Sequence, residues 1–318
     1  MNKYENKTVF FIGDSITANG TFVHLLRLYF KEKGYRVYLQ NKGIPGGTAE
    51  LIHEALDEEL EAHTPDFAVI SFGANDVAYY EYNTDTIGKE SLALIKKRKF
   101  EEYSANMTLL VSKLKGRGIT PILCSPFCFN RYLKEETERE TVVDLCEKEA
   151  IDHKFYDPAV FEKINESLLE FGGFVESLAN KNGLEFWDLY NLTYEKTTPD
   201  CFESDGIHYT PKGDYIIAEY MLKNMCHQSL GTPKEDIACK EIAELELEEI
   251  SYFFIKYNIM RQKRHYLADE ELSLAVKEWV AQNGNIWGMT SERVERFSRF
   301  IKSAKENRHK LSEKIKNT

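Results

Sequence analysis

Residues 8–17 read TVFFIGDSIT. Val9, Phe10, Phe11 and Ile12 are strand formers, and they run straight into Gly13-Asp14-Ser15. An unbroken apolar run of this kind suits a strand covered on both faces, as in a parallel sheet. A strand that stops at a small residue and a serine, then turns into a helix, lifts a hydroxyl to the C-terminal edge of the sheet. Open α/β sheets bind ligands at that edge. Ser15 then has two readings, a nucleophile or a plain N-cap for the next helix. The other strand ends must separate them.

Outward from this stretch the same unit recurs. Phe22, Leu25, Leu26, Tyr29 and Phe30 keep helical spacing, which predicts a helix over 19–33 stopped by Gly34. Val37–Gln40 is the second predicted strand, and it leads into Asn41-Lys42-Gly43-Ile44-Pro45-Gly46-Gly47-Thr48. Glycines at that density signal positive φ or a close backbone approach. A helix over 49–61 is followed by the apolar strand 67–72, which ends in Gly73-Ala74-Asn75-Asp76. Residues 77–99 read as a polar and aromatic loop and 100–115 as a helix. Strand 121–125 is followed by an insertion over 126–157 with a helical centre. A helix over 158–181, strand 184–189, loop 190–204 and a last helix over 212–225 complete the pattern. Strand, loop and helix in alternation predict a doubly wound parallel α/β sheet. Every polar cluster then falls on one edge of it.

Composition narrows the class. The chain has 318 residues with 42% hydrophobic content, enough for a large core. Its net charge of −11 argues against a nucleic-acid binder. No apolar run reaches the length of a membrane span. The first residues lead directly into a strand and lack the longer apolar region of a signal peptide, so a cytoplasmic location is expected. The six cysteines are scattered, and Cys124-x3-Cys128 has no second ligand pair at zinc spacing, so neither a disulfide framework nor a metal site is expected.

A serine hydroxyl needs a base. Asp205-x-x-His208 offers one together with a carboxylate to orient it. The tetrahedral intermediate needs donors for its oxyanion. The candidates are the backbone amides of Ser15 and Gly46 and the side-chain amide of Asn75. Glycine at 46 would remove a Cβ that could obstruct approach, and asparagine at 75 donates without carrying charge. Each residue alone has an ordinary reading as a cap, turn or surface side chain. Their order, each after a predicted strand or in the last loop, favours a site.

Gly13-Asp14-Ser15-Ile16, Asn41-x-Gly43-x-x-Gly46, Gly73-x-Asn75-Asp76 and Asp205-x-x-His208 resemble, in order, the blocks of the SGNH hydrolases, also called GDSL-type esterases and lipases. The resemblance covers about residues 7–228. It implies a three-layer α/β/α flavodoxin-like fold and no metal or cofactor. It further implies a triad of Ser15, Asp205 and His208 and an oxyanion hole of Ser15, Gly46 and Asn75. Ile16 stands where the family usually has leucine. The nucleophile does not sit in Gly-x-Ser-x-Gly, so the α/β-hydrolase elbow does not apply.

The expected reaction is hydrolysis of an acyl ester through an acyl-serine. Tyr79, Tyr80 and Tyr82, with Phe127, Phe129, Arg131 and Tyr132, read either as walls for a polar ring-bearing acceptor or as cover for the sheet edge. The favoured substrate is an O-acetylated carbohydrate. The alternatives are a lipase, lysophospholipase or thioesterase, an O-acyltransferase, and a non-catalytic scaffold. Residues 1–228 are read as the hydrolase domain and 229–318 as a helical extension with helices over 233–262, 268–282 and 290–315. The net negative charge lies before the extension, whose end carries Arg293, Arg296, Arg299, Lys302 and Lys305. These are a solvated face on a packing helix, or a contact for an acidic partner or a second copy of the chain.

Overall fold

The computed structural model describes residues 3–60, 63–82, 91–132, 158–263, 310–311 and 313–317. Two compact units result, Met1–Asp236 and Ile237–Thr318.

The first unit is built on five parallel strands, β1 (Lys7–Gly13), β2 (Val37–Gly43), β3 (Phe67–Ser71), β4 (Thr120–Cys124) and β5 (Glu185–Trp187), in the order β2-β1-β3-β4-β5. Phe10, Phe11, Ile12, Ala68, Ile70 and Leu123 are all buried, as strands covered on both faces require. The chain leaves β1 one way to β2 and later returns on its other side to β3, so the C-terminal end of β1 is the topological switch point.

Helices α1 (Ser15–Asn19) and α2 (Phe22–Glu32) follow β1, α3 (Ala49–Glu59) follows β2, and α4 (Leu92–Gly116) follows β3. Helix α5 (Pro158–Asn182) precedes β5, and α6 (Leu189–Lys196) and α7 (Pro211–Cys226) follow it. Helices α2 and α7 pack together, while α3, α4 and α5 form the other layer. This is the expected three-layer α/β/α fold.

Several expectations are corrected. The helix expected over 19–33 is α2, starting at Phe22, and a short helix α1 that was not expected precedes it, separated by Gly20 in an extended conformation. Helix α4 begins at Leu92, within the expected loop 77–99, with Ser91 accepting the N–H of Leu94 as N-cap. The expected loop 190–204 holds α6 and a 3₁₀ turn at Pro199–Cys201.

In the second unit α8 spans Ile237–Lys263, starting later than the expected residue 233. Residues 234–236 are held on α2 instead: the N–H of Lys234 donates to Glu32, and Glu235 and Asp236 pair with His24 and Lys31. Residues 310–311 and 313–317 are helical. The expected helix over 268–282, most of that over 290–315 with its basic residues from Arg293 to Lys305, and the centre of the 126–157 insertion lie outside the described residues. No helix among the described residues is long and apolar enough to cross a membrane.

Candidate active site

Strand β1 ends at Gly13 because nothing larger fits: a Cβ there would stand 2.2 Å from Thr17 Oγ1 and 2.6 Å from the Ser71 carbonyl oxygen. Asp14, only 2% exposed, caps α1 by accepting the N–H of Ile16 at 2.9 Å. Asp14 does the capping, and the Ser15 hydroxyl is left to meet His208, whose Nε2 lies 2.8 Å from Ser15 Oγ. His208 Nδ1 lies 2.5 Å from Asp205 Oδ2, and Asp205 Oδ1 accepts the backbone N–H groups of Ile207 and His208. The second carboxylate oxygen is thus aimed by a turn that the first one stabilises. The structure brings Ser15, Asp205 and His208 together.

Opposing influences act on this chain of groups. Burial pushes the His208 imidazole down, but the hydrogen bond and charge of Asp205, with smaller help from Asp14 and Glu203, outweigh it and the net shift is upward. Burial pushes Asp205 up, and its bonds to His208 and Ile207 carry it below the ordinary range. A neutral His208 can accept the serine proton, and the imidazolium that results is held by Asp205.

The glycine loop is tied to α1 from both sides by Asn41, which donates to the Thr17 carbonyl at 2.8 Å and accepts the N–H of Gly43 at 2.9 Å. Gly46 has φ +74°, a left-handed conformation. Among the described residues no atom lies within 4 Å of where its Cβ would be, so the backbone angle, one of the two expected reasons for glycine in this loop, is the one the fold itself imposes. Asn75 donates one N–H of its amide to the Gly47 carbonyl at 3.0 Å. A primary amide has a second. Asn75 and the Gly46-Gly47 turn are therefore neighbours.

Sequence reasoning assigned no role to some supporting groups. Asp76 Oδ1 accepts the N–H of Ala49 at 2.8 Å and so holds the start of α3 against β3's end. Its other oxygen is buried with no partner among the described residues, and burial, then the charge of Asp14, push this carboxyl up to about 7. Asp14 itself is pushed up to about 6 by burial. Asp214 on α7 accepts both the N–H and the hydroxyl of Thr21, tying α7 to the start of α2. Asp14 and Asp76 stand inside quoted motifs, so the signal was present; Asp214 had none.

Of the aromatic residues read as either wall or cover, Tyr82, Phe127 and Phe129 are cover. All are buried, with Tyr82 bonded to Ser167 and Phe127 against Phe22 and Tyr209. Cys124 and Cys128 are buried free thiols, and no metal-binding group of three ligands occurs among the described residues.

Residues 9–221 match the GDSL-like lipase/acylhydrolase family. The chain belongs to that family. An acetylxylan esterase of Geobacillus stearothermophilus is 25% identical over 68% of this chain and 92% of its own length. A human isoamyl acetate-hydrolyzing esterase 1 homolog is 24% identical over 49% of this chain and 54% of its own. Among solved structures, a gut microbial diltiazem-metabolizing enzyme superposes with a TM-score of 0.72 at 16% identity, covering 99% of this chain and 95% of that one. The Geobacillus acetylxylan esterase superposes at 0.52 with 19% identity over 72% and 98%. These likenesses fit the observed sheet, and the first extends into the C-terminal unit. This GDSL-family chain is a carboxylic ester hydrolase.

Proposed function

We propose that the enzyme hydrolyses acetyl esters of carbohydrate hydroxyls through an acetyl-enzyme on Ser15. His208 takes the Ser15 proton as Oγ attacks the ester carbon. The oxyanion formed is met by the backbone N–H groups of Ser15 and Gly46 and by the second N–H of Asn75. His208 then gives the proton to the departing alcohol oxygen as the ester C–O bond breaks. A water repeats the sequence on the acetyl-serine and releases acetate. Asp205 keeps the imidazole in the tautomer that faces Ser15 and stabilises it when charged.

The observation that carries this reading is the 2.8 Å approach of His208 Nε2 to Ser15 Oγ, with Asp205 behind the ring. The acetyl group is supported by the names of both relatives, which specify acetate esters of unlike alcohols. A panel of acetylated sugars and p-nitrophenyl esters of rising chain length tests it, using wild type and Ser15→Ala. Acetate release from the sugars and fastest turnover of the shortest esters are expected, all lost in Ser15→Ala. Faster cleavage of C8 than of acetate, or activity surviving in Ser15→Ala, would count against it.

A further inference from the structure

Beyond β4 the chain runs along the sheet edge and passes beside the turn that carries His208. The N–H of Asn130 donates to the Gly206 carbonyl at 2.8 Å, and Asn130 Oδ1 accepts the N–H of Tyr132 at 2.9 Å. Arg131 lies between these anchors, exposed at the surface. Its guanidinium carbon is 4.2 Å from the centroid of the Tyr194 ring and 4.8 Å from that of Tyr132. It also donates to the Tyr132 hydroxyl at 2.8 Å. The rings are themselves held. Tyr132 Oη donates to the Thr197 carbonyl at 2.6 Å, and Tyr194 stacks on the buried Tyr190. The cation therefore sits on a rigid aromatic support.

Among the described residues, Arg131 differs from other arginines in its partners. Arg36 pairs with Glu5, Arg98 with Glu81 and Arg117 with Asp57, while Arg27 donates to the Leu39 carbonyl. Among the described residues no carboxylate pairs with Arg131, in a chain of net charge −11. The guanidinium presents five N–H donors in a planar fork. Ring contacts occupy its faces and tyrosine hydroxyls take part of its edge, so donors remain for a ligand. A carboxylate matches that fork with two parallel bonds. The Asn130 bond to Gly206 ties this segment to the turn that carries His208, and the departing alcohol must lie near His208 to receive its proton. We propose that Arg131, Tyr132 and Tyr194 form a subsite for a carboxylate on the alcohol part of the ester, so that the substrate is an acetyl ester of an acidic sugar. This deepens, and rests on, the acetyl-esterase reading.

The test compares acetate release from an O-acetylated methyl uronide with release from the same compound after methyl esterification of its carboxyl. For wild type, kcat/KM is expected to be about tenfold or more higher for the free acid, mainly through KM. About 0.5 M salt should shrink that ratio, as it screens an exposed charge pair. In Arg131→Gln the ratio should fall close to one, and Arg131→Lys, with charge but no fork, should lie between. If Arg131→Gln fails to fold, Arg131→Lys and the wild-type salt response read the same quantity. A wild-type ratio near one, or a ratio that survives in Arg131→Gln or in high salt, overturns the subsite alone. No turnover of p-nitrophenyl acetate by wild type would overturn the esterase reading and the subsite with it.

Discussion

His208 must be neutral to accept the Ser15 proton, and its surroundings favour the charged form. Asp205 outweighs burial and lifts the imidazole above its ordinary value of about 6.5. The kcat/KM for p-nitrophenyl acetate should therefore climb with pH through a midpoint above that value. Asp205→Asn should move the midpoint down and lower kcat by a factor on the order of 10⁴. The same shift has a sign for stability. A histidine whose folded pKa is raised contributes stability that is fully present below its unfolded value and lost as pH rises through the folded one. The melting-temperature difference between wild type and Asp205→Asn should thus narrow from pH 6 toward pH 9, where the base becomes active. On the oxyanion side, Asn75→Ala removes one proposed donor and should cut kcat by about 10²–10³, with KM little changed. An unchanged kcat would remove Asn75 from the oxyanion hole.

At the scale of elements, the ends of the strands are built by close approach and by caps. Gly13 has the Ser71 backbone and Thr17 where a Cβ would go. Gly13→Ala should cost about 1–3 kcal/mol in urea unfolding, the usual range for overpacking. Gly46 has room but the wrong φ for other residues, so Gly46→Ala should cost about 1–2 kcal/mol, with activity falling further if the amide turns away. Strand positions were legible because fully buried parallel strands appear as apolar runs. The start of α4 was not. Its first turns, Leu92 to Lys99, bury only Ile95, so they carry no apolar stripe for a periodicity to reveal. Helix α6 was hidden likewise, being short with only Leu189, Tyr190 and Thr193 buried.

For the whole molecule, the segment after α7 belongs physically to the first unit. The N–H of Leu230 donates to Glu219, Tyr215 donates to the Gly231 carbonyl, and Glu235 and Asp236 pair with α2. A chain ending at Asp236 should accordingly melt several degrees higher than one ending at His227, measured by calorimetry at neutral pH. Equal melting temperatures would show that these tethers contribute nothing. The helix expected from residue 233 starts later for the same reason: residues 234–236 are held by a hydrogen bond and ion pairs to α2, some 200 residues earlier in the chain.

The succession of strands along the chain, the residue at each strand end, and the candidacy of a serine and an Asp-x-x-His turn could all be read from the chain alone. Each is written in short-range pattern, an apolar run, a glycine, or a three-residue spacing. Which donor meets which acceptor was decided only in three dimensions. Ser15 and His208 are 193 positions apart, and their 2.8 Å contact exists because β1 lies at the switch point and the last loop folds back over it. The same is true of Asp14 replacing Ser15 as the cap, Asn75 bonding Gly47, and Arg131 resting on Tyr194. Local spacing governs backbone conformation, but the partner of a polar side chain is set by topology and by the cost of leaving a buried group unpaired.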